Sequence, residues 1–419
     1  MNEIMAIWAD WIKPSAGLPT VQWSLLLAVA AAAGHLLQRH AGLPKVVGYS
    51  LVGTIAGLAG FSGAVWPLQG VALFLLELGV SVVLFEAGGR IALRWFRHNP
   101  MVLLQSLAES VLTALFVFYV LRWMDVRAPV AEAVALIAMA ASPAVLSRVM
   151  MDTQATGPVT ERAMVLSTLS TFYALTLVSA RAGTMHRPHT DVVATLYPVA
   201  VVLGISIVVG AVLALVLRMA LRAMSPTSEN TTILLVTLIA AGTALAAHFG
   251  GSAPLAALLG GVLLKQLNPR PWAWTRQLGS AVSLLTMLMF VLVSVVAAKA
   301  DWNPAVAGLV LAIVAARGVA KVGGVLLANW GSGTSWRQAV WMGCAMSPMS
   351  SVALLLVSQF VASSLTLGPR IASIALPAIL LMEVLGAIIA TFAIYRAGES
   401  SKPWAPRRGA GAEPGEARG

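Results

Sequence analysis

Two apolar runs in this chain, each long enough to cross a bilayer, are interrupted near their middle by a Ser-Pro pair. The first, at residues 130–150, holds MAASPAVLSRVM with Ser142 and Pro143; the second, at 339–361, holds AMSPMSSVA with Ser347 and Pro348. Proline has no N–H to donate and its ring clashes with the carbonyl four residues earlier, so a helix kinks or ends at each pair. In lipid, the backbone groups released by such a break are tolerated only inside protein or beside a wet cavity. The two prolines lie 205 positions apart, which suggests two copies of one broken span.

The rest of the chain fits a membrane setting. Of its 419 residues 59% are hydrophobic and 10% charged, with a mean hydropathy of +0.86, against about 25% charged residues in soluble domains. The apolar runs are continuous rather than alternating, which excludes a β-barrel and predicts an all-α membrane protein. Thirteen spans are expected, at 21–37, 43–60, 68–88, 101–121, 130–150, 163–180, 192–219, 231–249, 253–267, 281–298, 306–329, 339–361 and 371–395. These define a segment 1–20 without a basic leader, a transmembrane domain 21–395, and a tail 396–419 rich in Gly, Pro, Ala and charge that is expected to be disordered. A single cysteine, Cys344, rules out an internal disulfide and a cysteine metal site. His186 and His189 lack a third ligand nearby in sequence, so no metal is expected.

Charge and parity set the orientation. With the N-terminus outside, 18 of the 27 Lys and Arg residues fall in inside loops and the tail, 7 fall outside, and Arg317 and Lys321 lie within a span. The positive-inside rule therefore predicts an outside N-terminus and a cytoplasmic C-terminus. The same distribution assigns the net charge of +11 to loops facing anionic lipid rather than to nucleic acid. The Ser-Pro breaks fall on the fifth and twelfth spans, seven apart, so the second copy must run in the opposite direction. The Gly-rich second and ninth spans, GYSLVGTIAGLAG and APLAALLGGVLL, match at the same interval. Inverted repeats over about 43–180 and 253–395 follow, with two broken helices crossing at mid-membrane, where many transporters bind ions.

Several stretches resemble the monovalent cation:proton antiporter family, of the Na⁺/H⁺ exchanger and glutathione-gated K⁺ efflux type. LPKVVGYSLVGTIAGLAG at 43–60 is similar to that family's second-span motif and ELGVSVVLFEAGGRI at 77–91 to its third. The Ser-Pro stretches sit where the family crosses its broken helices, and MEVLGAIIATFAIYRAGE at 382–399 resembles its last span. The resemblance implies an inverted-repeat fold, a homodimer in the cell (inner) membrane, and exchange of Na⁺ or K⁺ for H⁺ by alternating access without a cofactor. It also implies a membrane-embedded Asp on the sixth span, in a Gln-Asp, Asn-Asp or Asp-Asp pair; here Thr171 and Phe172 stand there, and Met349, Ser350 and Ser351 occupy a position where some relatives have Arg-Gly-Glu.

Ionisable residues at membrane depth cost about 2.5–3.5 kcal/mol each on insertion scales and mark function by default. Glu109 lies midway along the fourth span and Arg317 midway along the eleventh; the repeat offset carries 109 to 314, within one turn of Arg317. The two are expected to face each other, either as partners that an ion exchanges or as a fixed tie between repeats. Arginine stays charged and balances an acid, whereas a buried lysine such as Lys321 is able to release its proton or to snorkel to an interface. Glu383, deep in the thirteenth span, joins Glu109 as a candidate replacement for the missing sixth-span acid. Glu77 and Glu86 are nine residues apart, on opposite helix faces, and do not form one site. Hydroxyls at Ser142, Ser170, Thr171, Tyr173, Ser347, Ser350 and Ser351 offer oxygen ligands to a dehydrated cation, or simply pack helices. No phosphate loop or nucleophile–base set is present, so no enzyme activity is expected. Two other functions fit the sequence: a transporter of this architecture for another, anionic solute drawn by Arg317 and Lys321, or a non-transporting sensor or partner subunit.

Overall fold

A computed structural model of the protein describes residues 18–185, 192–224, 229–268 and 276–402. Among these residues all regular structure is helical. In chain order the helices are α1 (Leu18–Ala41), α2 (Lys45–Leu58), α3 (Gly70–Gly89), α4 (Leu93–His98), α5 (Pro100–Trp123), α6 (Ala128–Met139), α7 (Pro143–Thr153) and α8 (Pro158–Gly183). There follow α9 (Val192–Ala223), α10 (Glu229–His248), α11 (Ala253–Leu267), α12 (Arg276–Ala298), α13 (Pro304–Leu327), α14 (Trp336–Ala345), α15 (Ser351–Ser363) and α16 (Gly368–Ala397). Each of the expected apolar stretches falls on one helix or, for the fifth and twelfth, on a broken pair: α6 with α7, and α14 with α15. His186 and His189 lie outside the described residues, as does nearly all of the N-terminal segment.

Proline organises these boundaries. It occupies the first turn of α5, α6, α7, α8, α11, α13 and α16, where its missing N–H is one that the helix would leave unbonded anyway. Pro143 therefore starts a new helix rather than kinking an old one. The chain is extended at Ala140 (ψ 130°) and Ser142 (ψ 92°), and the Ser142 hydroxyl caps α7 by accepting from the Val145 N–H at 3.4 Å. The second break spans 346–350, between the end of α14 and the start of α15.

The packing follows the upside-down repeat. Taking α2, α3, α5, α6–α7 and α8 as one copy, their counterparts are α11, α12, α13, α14–α15 and α16. Helix α3 packs along α11 and, correspondingly, α12 along α2, while α5 and α13 pack on each other. Glycine permits the first two of these approaches: a Cβ at Gly88 or Gly261 would collide with backbone carbonyls across the α3–α11 contact, and one at Gly53 or Gly57 with backbone across the α2–α12 contact. Facing outward, α1 and α9 present exposed Leu25, Val29, Val208 and Val212, which suits lipid.

At the start of the tail, residues as far as Lys402 make specific contacts with the membrane unit. The Glu399 carboxylate accepts from the Val159 and Thr160 N–H groups at 2.8 and 2.7 Å and from the Thr160 hydroxyl at 2.6 Å. The first turn of α8 has N–H groups with no partner inside the helix, and a carboxylate there meets both those donors and the positive end of the helix dipole. Ser400 Oγ donates to the Thr153 carbonyl and Lys402 Nζ to that of Asp152. Residues 403–419 lie outside the described residues.

Candidate ion site at the helix crossing

The two breaks meet, and Arg317 of α13 is what they meet on. Its Nε donates to the Ala138 carbonyl at 2.9 Å and its Nη2 to that of Ala140 at 2.8 Å, both at the end of α6. Its Nη1 donates to the Ser347 carbonyl, and Nη2 also lies 3.3 Å from the Pro348 carbonyl and 3.5 Å from that of Met346, all in the second break. The C-terminal ends of α6 and α14 leave carbonyls unbonded and carry partial negative charge. A guanidinium, with five N–H donors in a rigid fork, satisfies both ends at once. Arg317 is fully buried, so its charge acts across protein rather than water.

Lys321, one turn further along α13, is also fully buried and does not snorkel. Its Nζ donates to Glu109 Oε2 at 2.7 Å and to the Met139 carbonyl at 2.7 Å. Glu109 thus pairs with Lys321, not with Arg317 as the repeat offset suggested. The physical reason is division of labour: the forked guanidinium is drawn to several carbonyls, leaving the compact ammonium for the single carboxylate. Glu109 also accepts from Ser110 Oγ at 3.1 Å. A Cβ at Gly324 would strike the Glu109 backbone, so glycine there lets α13 come close enough for the pair to form.

Glu383 of α16 stands differently. Its carboxyl accepts from Ser350 Oγ at 2.9 Å, in the second break, and from Ser294 Oγ of α12 at 3.0 Å. The Ser50 hydroxyl of α2 faces the same carboxyl without completing a hydrogen bond. Three acids are buried among the described residues, Glu109, Asp152 and Glu383. Glu109 pairs with Lys321 and Asp152 lies 3.8 Å from Arg148, whereas Glu383 has no basic side chain in ion-pair range.

The remaining candidates have structural partners. Thr171 Oγ1 donates to the Ala141 and Ser167 carbonyls, tying α8 to the first break; Phe172 is half-buried, edge-on to Tyr173. Ser170 donates to its own helix and Tyr173 OH meets Ser106 Oγ at 3.0 Å. Ser351 is buried with its hydroxyl unpartnered. Glu86 pairs with Arg90 and lines a small vestibule of about 50 Å³ with Ser147, Arg148, Ser283 and Thr286; Glu77 is half-buried. Sequence reasoning missed Ser50 and Ser294. Ser50 could have been found, because it shares one face of α2 with Gly53 and Gly57; Ser294 stands in the apolar run VLVSVVA with no comparable pattern.

An inverted repeat of transmembrane helices, with two broken members joined at a buried arginine that bonds carbonyls of both, defines a membrane transporter of the antiporter fold. The chain belongs to the sodium/hydrogen exchanger transmembrane family, whose profile matches residues 25–395. This is a family of multi-pass membrane transporters rather than enzymes. The structure of the sodium proton antiporter MjNhaP1 from Methanocaldococcus jannaschii at pH 8 superposes with a TM-score of 0.68 at 17% identity, covering 94% of this chain and 99% of that one. An electron-microscopy structure of the same antiporter gives 0.62 at 16% identity, covering 96% of each chain. At such identity these likenesses speak to the fold. No curated protein matches the chain by sequence.

Proposed function

We propose that this protein exchanges a monovalent cation, Na⁺ or K⁺, for H⁺ by alternating access, driven by gradients and without a cofactor. The observation that carries the reading is the charge balance at the crossing. Lys321 is offset by Glu109 and Arg317 is held by backbone carbonyls, and of the two acids only Glu383 is left without a basic partner. A carboxylate held by neutral hydroxyls is free to take a proton or a cation in turn; a carboxylate locked to lysine is not. Glu383 is then the exchanging group, Glu109, Lys321 and Arg317 hold the crossing together, and Thr171 and Phe172 carry no charge at the family's acid position.

In this account α5–α8 and α13–α16 move as the ion-carrying body against the remaining helices. The protein is a homodimer of the cell (inner) membrane, with α1 and its neighbours at the dimer contact, the N-terminus outside and the C-terminus in the cytoplasm. The domain limits read from the sequence, 21–395 for the membrane unit and about 43–180 and 253–395 for the repeats, belong to the same proposal.

The test is a proteoliposome assay. With the purified protein and an imposed pH gradient, added Na⁺, Li⁺ or K⁺ should move protons at a rate that saturates with cation. A chain that dissipates no gradient with any of the three, while co-purifying with another protein, is a sensor or partner subunit instead.

A further inference from the structure

We propose that Glu383, with Ser50, Ser294 and Ser350, forms the cation site, and that the ion it takes is a small dehydrated monovalent cation, Na⁺ or Li⁺ in preference to K⁺. This deepens the exchange reading and rests on it.

Four observations carry the assignment. First, Glu383 is fully buried and has no basic partner, whereas a buried charge ordinarily needs a counter-ion. Second, the hydroxyls that surround it come from three elements, α2, α12 and the second break, so oxygen ligands converge from several directions. Third, the Ser50 hydroxyl, fully buried and facing the carboxyl, has no hydrogen-bond partner. A cation would satisfy it by taking a lone pair. Fourth, the charge fits a single positive ion. One carboxylate and neutral hydroxyls balance a monovalent cation, and among the described residues no three His, Cys, Asp or Glu side chains converge as a divalent ion prefers.

Size selection follows from spacing. The Ser350 and Ser294 hydroxyls stand 2.9 and 3.0 Å from the carboxylate oxygens. To admit an ion each hydroxyl must turn its proton away and retreat, and the retreat is least for the smallest ions. Packing resists a larger one: Gly53, one turn from Ser50, has no room for a Cβ against Val291 and Ser294, and dense interiors yield little without cost.

The site also joins two bodies. Ser350 and Glu383 belong to the helices around the crossing, whereas Ser50 and Ser294 lie on α2 and α12, which pack on each other. A shift between the two bodies removes Ser50 and Ser294 from the ion, so binding and release become tied to movement. No charged group faces Glu383 from any of these elements to take their place.

The experiment is equilibrium binding of radioactive Na⁺ to the purified full-length protein, with unlabelled Li⁺ and K⁺ as competitors. Saturable Na⁺ binding is expected, displaced by Li⁺ and poorly by K⁺. Glu383→Gln should weaken it at least about tenfold, the loss expected of one hydrogen-bonded charge, and Ser294→Ala severalfold. Glu77→Gln should bind as the wild type does. If Glu383→Gln does not fold, Ser294→Ala and Ser50→Ala carry the test. No saturable Na⁺ binding in the wild type, unchanged affinity in these variants, or K⁺ bound as tightly as Na⁺ would overturn the assignment. Proton exchange that survives intact in Glu383→Gln removes this site and leaves the exchange reading standing. Na⁺ binding lost in Glu383→Gln, with no exchange by the wild type, removes the exchange reading and leaves the site.

Discussion

Removing one member of the Glu109–Lys321 pair should damage the fold far more than removing both. The two charges touch at 2.7 Å with neither side chain exposed. At an effective dielectric of about 20 their attraction is about 6 kcal/mol, against a desolvation cost of several kcal/mol per ion. Glu109→Gln leaves the Lys321 ammonium buried with only the Met139 carbonyl, and Lys321→Met leaves the Glu109 carboxylate with only Ser110. Each single change should cost about 3–5 kcal/mol. The double variant has no stranded charge and should lose about 1–2 kcal/mol, chiefly for the unbonded Met139 carbonyl. On the per-residue entropy scale of soluble domains the singles then melt about 3–6 °C below the wild type and the double about 1–2 °C below. The assay is thermal unfolding in one detergent, followed by size-exclusion fluorescence, on all four proteins. If the double variant loses as much as the two singles together, the pair is not a mutual tie and the charges act independently.

Other changes test neighbouring parts of the account. Arg317→Met leaves the Ala138, Ala140 and Ser347 carbonyls without their shared donor and should lower stability by about 3–6 kcal/mol in the same melts. Arg317→Lys keeps the charge but not the fork, and should fall between Met and wild type. Glu399→Ala removes the cap on α8 and should cost about 1–2 kcal/mol while leaving the cation dependence of exchange unchanged. Gly324→Val should prevent the close contact of α13 with Glu109 and reduce folded yield, read from monodisperse protein recovered per cell mass.

Much of this architecture was legible before any coordinates. Apolar length sets the spans because the backbone must bond within each segment in lipid, and Pro143 and Pro348 marked the breaks because proline cannot continue a helix. Parity then gave the upside-down relation. The partners of buried charges were harder to read. Arg317 and Lys321 are one turn apart on one helix, so an offset good to a turn could not choose which of them meets Glu109. The choice depends on five carbonyls gathered from two separate breaks. The environment of Glu383 was hidden for the same reason, since Ser50, Ser294 and Ser350 are far apart in sequence. Glu399 was read as part of a disordered tail, because a capping acid supplied from over two hundred residues away leaves no local signature.

The central claim is that one unpaired buried carboxylate carries the exchange. The most direct test is cation-driven proton movement in proteoliposomes holding wild type or Glu383→Gln at equal protein density. The account predicts saturable exchange by the wild type and none by Glu383→Gln that folds normally. Equal rates in the two would contradict it.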